Sequence, residues 1–227
     1  MKMTVEERNY NELKELVFEK GITLFGVADL EPIKDRLLLS ESELKGLKYG
    51  ISMAVVLSKE VLEGIEDKPT ILYKWHYRQA NINLDNNAFL ITQEIMSRGY
   101  KALPIAASQI IDWQKQLAHV SHRIVAEAAG LGWRGRNNLI VNEKYGSQIR
   151  LITVLTDIPL KTDKPVEFGC GSCRRCIDVC PVKALGETPD QYNFDLCFNQ
   201  LKEFSKIQGV GQYICGICVK ACYGKRK

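Results

Sequence analysis

Apolar residues recur with two different spacings along the first half of the chain, and these spacings predict helices and strands in turn. A capping box at Thr4 and Glu7 opens a helix whose apolar positions repeat every three to four residues and which ends at Gly21. Continuous apolar runs at residues 22–28 and 51–57 have the length of short buried strands. The N-terminal part is therefore predicted to contain one helix followed by two strands.

The same alternation continues through the middle of the chain. Residues 70–99 predict a long helix, 100–105 a strand, and 112–129 a second helical face. The apolar runs 139–141 and 149–155 flank a tight turn, so they predict a pair of strands. Strands that alternate with helices predict a layered α/β domain in a protein of the α+β class.

Charge and cysteine content separate this domain from a small module at the end of the chain. A stretch rich in Asp and Pro, residues 156–168, reads as a linker, so we predict an α/β domain over 1–160 and a second domain over 161–227. Residues 1–169 carry no net charge, and the +4 of the 227-residue chain comes from the remaining residues, with nine Lys/Arg against five Asp/Glu. The N-terminal domain thus lacks the basic surface that nucleic-acid binding requires.

All eight cysteines lie in this C-terminal module, with the spacing of two [4Fe–4S] clusters. The first run reads Cys-x2-Cys-x2-Cys-x3-Cys-Pro from residue 170, and the second reads Cys-x2-Cys-x3-Cys from residue 215, with Cys197 between them. In such modules three cysteines of a tight loop bind one cluster, and the fourth cysteine of the run binds the other. We therefore expect a bacterial-ferredoxin-like domain with two ligand groups. The first group is Cys170, Cys173, Cys176 and Cys222, and the second group is Cys180, Cys197, Cys215 and Cys218.

Zinc and disulfides are the competing explanations for the cysteines. Two four-thiolate zinc sites would use the same ligands, but zinc ribbons need neither a third cysteine in the run nor the Cys-Pro step. Disulfides need an oxidising compartment, and the charged N-terminus has no apolar segment of a secretory signal. Each cluster with four thiolates carries about −2, so two clusters would offset the basic excess of the module. We expect a reducing, anaerobic cytoplasm and no membrane span.

A glycine-rich loop before the predicted strand pair is a second candidate site. Gly130, Gly132 and Gly135 would let the backbone approach a ligand closely, Trp133 offers a flat apolar face, and Arg136 offers donors to an anion. The loop follows a helix and precedes a strand, which is the opposite of the order in a Rossmann fingerprint. A helix C-cap followed by a turn explains the glycines about as well, so both interpretations stay open.

The order of these motifs resembles the epoxyqueuosine reductase family, which is related to the cobalamin-dependent reductive dehalogenases. The resemblance rests on Ala-Gly-Leu-Gly-Trp-x-Gly-Arg-Asn at 129–137, on Leu-Thr-Asp at 155–157 and on the first cysteine run. It implies a corrinoid (cobalamin) held without a protein lower ligand, between the α/β domain and the cluster module. The residues it implies for cofactor binding are Gly130, Gly132, Trp133, Gly135, Arg136 and Asn137.

The resemblance also implies a route for electrons and candidates for a proton donor. Electrons from a donor such as a ferredoxin or flavodoxin would reach the corrinoid through the clusters and reduce a small-molecule substrate. Epoxyqueuosine reductases carry a catalytic Asp before the glycine motif, where this chain has Gln116, and Asp112 is the nearest carboxylate. Reductive dehalogenases use a Tyr supported by a basic residue, a role that Tyr77 with Arg78 or Arg136 could fill.

Three functions are compatible with the sequence. The chain ends five residues after Cys222, which reads as a short form without the helical-repeat extension of tRNA-modifying members, and this disfavours nucleic acid as a partner. The first hypothesis is a compact corrinoid- and iron–sulfur-dependent reductase. The second is a non-catalytic electron-transfer protein that docks a partner protein. The third is a tRNA-modifying homologue that uses the RNA-binding surface of another chain.

The substitution Cys197→Ala tests the ligand assignment. It should abolish one cluster of two and leave about four irons per chain after anaerobic reconstitution, because the second group would keep only three thiolates. Iron and sulfide analysis measures this outcome. Retention of about eight irons would show that another residue serves as the fourth ligand.

Overall fold

The computed structural model describes residues 3–225, and within that range the chain forms helices and strands in a mixed order. The helices are α1 (Val5–Phe18), α2 (Glu41–Leu44), α3 (Lys59–Glu63), α4 (Ile71–Ser97), α5 (His122–Ala128), α6 (Arg175–Asp178), α7 (Phe194–Ser205) and α8 (Ile217–Ala221). The strands are β1 (Leu24–Asp29), β2 (Tyr49–Val56), β3 (Ala102–Ile105), β4 (Trp133–Arg134), β5 (Ile140–Val141) and β6 (Ile149–Thr156). This content confirms the mixed fold class, while the ferredoxin-like character of the second domain stays a prediction.

The chain divides into two compact units that alternate along the sequence, and β2 and α4 each run from one unit into the other. The boundary expected after residue 160 differs from this division, because two earlier segments belong to the unit that holds the cysteines. Unit 1 comprises Met1–Val55, Asn81–Leu131 and Arg150–Val166, and unit 2 comprises Val56–Ala80, Gly132–Ile149 and Glu167–Lys227.

A four-stranded antiparallel sheet in the order β1-β2-β6-β3 is the framework of unit 1. Hydrogen bonds from the Lys48 amide to the Thr156 carbonyl, and from the Leu57 amide to the Gln148 carbonyl, mark the two ends of the β2–β6 pairing. The predicted partnership of residues 139–141 with 149–155 is wrong. β6 joins the sheet, whereas β5 pairs with β4, with Trp133 opposite Val141. Short apolar runs predict strands but not partners, because pairing depends on contacts distant in sequence.

The predicted helices at the start and middle of the chain are confirmed, but the one over 112–129 is too long. It begins only at His122, and residues before it form a tight turn closed by an antiparallel bridge between Asp112 and Leu117. The Asp112 carboxylate accepts hydrogen bonds from the amides of Gln114 and Lys115, and Gln116 adopts φ 52°. The hydrogen bonds that the Asp112 carboxylate accepts from nearby amides therefore stabilise a turn where the apolar spacing predicts a helix.

Asp163 ties the last segment of unit 1 to its first helix and first strand. Its Oδ2 accepts a hydrogen bond from the Tyr10 hydroxyl and another from the Val27 amide, both at 2.9 Å. The Tyr10 ring also meets the edge of Phe25 on β1, with ring centroids 5.2 Å apart. One carboxylate therefore holds α1, β1 and the C-terminal segment of the unit together.

No helix within residues 3–225 is long and apolar enough to cross a membrane. The longest, α4, has 27 residues, but Lys, Arg, Asp and Glu are spread along its length.

His122 should make unit 1 sensitive to acid. Its Nε2 donates to the Ala106 carbonyl, so its Nδ1 accepts from the Thr153 hydroxyl at 2.9 Å. Burial, with the nearby Arg150 charge, lowers the pKa of this imidazole from 6.5 to about 4. Because the folded pKa lies below the unfolded one, the stabilisation is present above pH 6.5 and is lost as the pH falls toward 4.

We expect His122→Gln to flatten this loss of unfolding free energy at low pH. The full pKa shift of His122 corresponds to roughly 3 kcal/mol, and the partial exposure of its ring makes the contribution smaller. Urea unfolding at a series of pH values between 4 and 7 measures it. His119→Gln is the matched control, since His119 contacts the Gln109 side chain instead of the sheet. An equal acid dependence of wild type and His122→Gln would contradict the prediction.

Candidate iron–sulfur site

Three short helices of unit 2 position cysteines of both predicted groups. α6 carries Cys176, α7 carries Cys197, and α8 carries Cys218. α6 packs against α8, so residues from the two runs approach each other in space although they are about 40 positions apart. Of the other cysteines of the first run, Cys170 and Cys173 precede α6 and Cys180 follows it.

The thiols influence one another in a pattern that matches the two predicted groups. Burial raises the pKa of Cys176 to about 11, and the other three members of the first group add to this. Burial likewise raises the pKa of Cys215 to about 11, with contributions from Cys197 and Cys180. The pKa of Cys218 is raised by burial and then by the rest of the second group together with Cys176. The grouping supports the ligand assignment, which stays a prediction.

These thiols fit an iron–sulfur centre in their chemistry. A thiolate ligand must lose its proton, and bound metal provides the positive charge that makes this favourable in a buried site. Within residues 3–225, no three His, Cys, Asp or Glu side chains form a group that could hold a metal ion as they stand.

Side-chain hydrogen-bond donors point at the sulfurs of the first group. The Trp133 Nε1 lies 3.2 Å from the Cys170 Sγ, and the Arg175 Nε lies 3.3 Å from the Cys173 Sγ. Burial acts to raise the pKa of Cys173, but the Arg175 hydrogen bond and charge outweigh it and lower the pKa. Hydrogen bonds to ligand sulfurs are among the features that set the potential of iron–sulfur clusters.

Arg136 anchors the backbone of the first cysteine loop. Its Nη1 donates to the Cys173 carbonyl at 2.7 Å, and its Nη2 donates to the Gly171 carbonyl at 2.9 Å. Its Nε donates to the Glu187 carbonyl at 2.8 Å, and its guanidinium lies over the Phe168 ring. The planar fork of arginine thus joins three carbonyls of two loop segments.

Asn137 and Ser147 form a buried polar link to Cys222. The Asn137 Nδ2 donates to the Ser147 Oγ at 2.9 Å, which leaves the hydroxyl proton of Ser147 for the Cys222 thiol. The Ser147 amide also donates to the Cys222 carbonyl at 2.9 Å. Burial still raises the pKa of Cys222 overall.

The glycines of the candidate loop are explained by packing and by chain direction. Gly130 ends α5 with φ +69°, and a Cβ there would meet the Lys164 carbonyl oxygen at 2.5 Å. A Cβ at Gly132 or Gly135 would collide with Val141 of β5. The C-cap interpretation therefore accounts for Gly130, close packing on Val141 accounts for Gly132 and Gly135, and the role of all three in cofactor binding stays a prediction.

The two candidate proton donors belong to different units. Tyr77 lies in the unit 2 portion of α4, where its ring approaches the edge of Tyr73 with centroids 6.2 Å apart. Asp112 lies in the turn of unit 1 described above. Arg78, the suggested partner of Tyr77, lies over the Trp75 ring with its Cζ 5.1 Å from the ring centroid.

The site residues predicted from the sequence do not include Ser147, Arg175 or Tyr192. Arg175 lies between Cys173 and Cys176, and that position is the signal that could have identified it. Ser147 is distant in sequence from Cys222, whereas Tyr192 lies five residues before Cys197, and each hydrogen-bonds that thiol. Their roles follow only from the tertiary structure.

Known proteins resemble this chain in sequence and in fold. No family model matches the chain. The epoxyqueuosine reductase of Bacillus subtilis is 38% identical over 111 residues, which cover 45% of this chain and 28% of that protein. A tetrachloroethene reductive dehalogenase of Desulfitobacterium hafniense is 28% identical over 183 residues, which cover 79% of this chain and 30% of that protein.

A solved reductive dehalogenase, described with a mechanism for B12-dependent dehalogenation, shares the fold with a TM-score of 0.78 and 21% identity. The alignment covers 100% of this chain and 33% of the dehalogenase. The chain therefore spans about a third or less of the length of these relatives. The resemblance inferred from the sequence is confirmed: the chain is similar to both epoxyqueuosine reductases and reductive dehalogenases.

Proposed function

We propose that the chain is an iron–sulfur oxidoreductase that supplies low-potential electrons, through two [4Fe–4S] clusters, to a corrinoid that reduces a small-molecule substrate. The observation that carries the proposal is that all eight cysteines lie in unit 2, where thiols of the two runs are close enough to influence one another's pKa. The similarity to two classes of reductase supports it.

Unit 2 would prepare the thiols and the loop for metal binding. Bound clusters would supply one-electron transfer, which no side chain of the chain provides by itself. Arg136 holds the carbonyls of the first loop, so the three cysteines of that loop have little freedom to move apart. Trp133 places its ring against Gly169, where a Cβ would lie 2.8 Å from the indole, and directs its N–H at Cys170.

The corrinoid rests on the resemblance and on the B12-dependent relative, and not on contacts of the candidate loop. The polar atoms of Arg136 and Asn137 and the indole N–H of Trp133 already bind partners within unit 2. These groups therefore have structural roles within unit 2 that require no corrinoid. Asp112 and Tyr77 remain the proposed sources of the proton.

A non-catalytic electron-transfer protein is the second candidate function. The same internal hydrogen bonds favour it, since they give the loop a structural role that needs no further ligand. In either case the electron donor would be a low-potential carrier such as a ferredoxin or flavodoxin. A tRNA-modifying role is the third candidate, and salt-dependent binding of tRNA would support it.

Retention of cobalamin separates the first two functions. After anaerobic reconstitution, addition of cobalamin and gel filtration, we expect about one corrinoid per chain in the protein fractions, as measured by absorbance. Protein left without clusters is the control. A reconstituted protein that elutes free of corrinoid would leave the electron-transfer function as the better explanation.

The substitution Arg136→Lys tests how the cysteine loop is held. Lysine cannot donate to three carbonyls in a fixed plane, and hydrogen bonds to charged groups contribute about 1.5–3 kcal/mol. We expect faster amide exchange over residues 170–174 and a lower unfolding free energy.

Arg134→Lys is the matched control. Arg134 binds Asp190, Asn138 and the Pro189 carbonyl, all of which lie outside the first cysteine loop. Equal exchange at residues 170–174 in the two variants would contradict the anchoring role of Arg136.

A further inference from the structure

The two cysteine groups have different hydrogen-bonding and charged surroundings. The difference determines which group holds an added electron more strongly. This consequence rests on the proposed function, because it requires a cluster in each group.

Three side chains donate hydrogen bonds to the first group, each to a different sulfur. Trp133 donates to Cys170 at 3.2 Å, Arg175 donates to Cys173 at 3.3 Å, and the Ser147 hydroxyl bonds the Cys222 thiol. One of these donors is a full positive charge.

Arg175 is held in place by more than its sulfur contact. Its guanidinium stacks on the Tyr223 ring, with the Cζ 3.7 Å from the centroid, and its charge also acts on Cys222. Arg136 adds a second positive charge near Cys173. Cys173 itself is exposed, so water can reach this side of the group.

The second group has a more deeply buried and less charged environment. The Cys180 Sγ accepts the backbone amide of Ala184 at 3.3 Å, and Cys197 accepts a hydrogen bond from the Tyr192 side chain. Burial is the first influence on the pKa of Cys197, Cys215 and Cys218. The hydrogen bond from Tyr192 comes next at Cys197, that from the Ile217 backbone at Cys215, and the neighbouring thiols at Cys218. The side-chain donor described for this group is thus a neutral phenol.

An added electron spreads negative charge over the iron–sulfur core and its thiolates. Cations, N–H donors and solvent stabilise that charge, whereas burial without them makes it costly. We infer that the first group holds the cluster of higher potential, and that Arg175, Trp133 and Ser147 are the positioning residues that set the difference. A single electron from an external one-electron carrier would therefore reside on the first group, reducing that cluster from 2+ to 1+, with no bond made or broken.

The experiment is an anaerobic redox titration of the reconstituted full chain, followed by electron paramagnetic resonance. We expect two separate midpoint potentials in the wild type. Arg175→Gln and Trp133→Phe should lower the higher one and leave the lower one in place. A tenfold loss of preference for the first group corresponds to 59 mV for one electron, and we expect about that effect from Arg175→Gln.

Two control variants separate the hydrogen bonds from general charge effects. Arg174→Gln removes the same charge one residue away, from a side chain that pairs with Glu187, and should shift the potential much less than Arg175→Gln. Tyr192→Phe removes the donor to Cys197 and should lower only the lower potential.

The outcomes distinguish this inference from the proposed function. About eight irons per chain with two coincident potentials would overturn the inference alone, and so would equal shifts in Arg174→Gln and Arg175→Gln. Fewer than about four irons per chain in the wild type would overturn both the proposed function and this inference.

Discussion

The fork of hydrogen bonds from Arg136 to the carbonyls of Gly171, Cys173 and Glu187 is the constraint on which the candidate site depends. A loop whose three cysteines converge as predicted metal ligands cannot also use regular secondary structure to satisfy its own carbonyls. Arg136 satisfies them from outside and keeps the loop in one conformation. It follows Gly135 in a segment whose close packing on Val141 excludes any larger residue at Gly132 and Gly135, so the position of the arginine is itself determined by backbone contact.

The thiols show what the folded unit does before any metal binds. Burial raises the pKa of Cys176 and Cys215 to about 11, so as free acids these groups stay protonated at neutral pH. Assembly of a cluster has to displace those protons. At Cys173 the hydrogen bond and charge of Arg175 lower the pKa instead, so this thiol loses its proton more easily. The thiols of the two predicted groups therefore already differ in their surroundings without iron. The difference comes from the residues that contact the sulfurs, because the predicted ligands are all cysteine.

The helices and strands differ in how well the sequence alone predicts them. The capping box at Thr4 and Glu7 was sufficient to predict α1, because its signal is local. The turn at Asp112 interrupts the apolar spacing of residues 112–129, since a carboxylate that accepts two nearby amides stabilises a competing local structure. The partner of β5 could not be predicted, because β4 has only the two residues Trp133 and Arg134 and no apolar run marks it, whereas β6 is a long apolar strand on the other side.

The sequence by itself determined the chemistry of the site. Eight cysteines at these spacings predict two groups of four thiolates, and the interactions among the thiols follow that assignment. Only the tertiary structure decided which residues surround each sulfur. Trp133 and Ser147 reach thiols that lie tens of residues away along the chain, and Tyr192 reaches Cys197, five residues after it. Hydrogen bonds require a few ångströms of separation, and the fold creates that proximity where neither spacing nor composition records it.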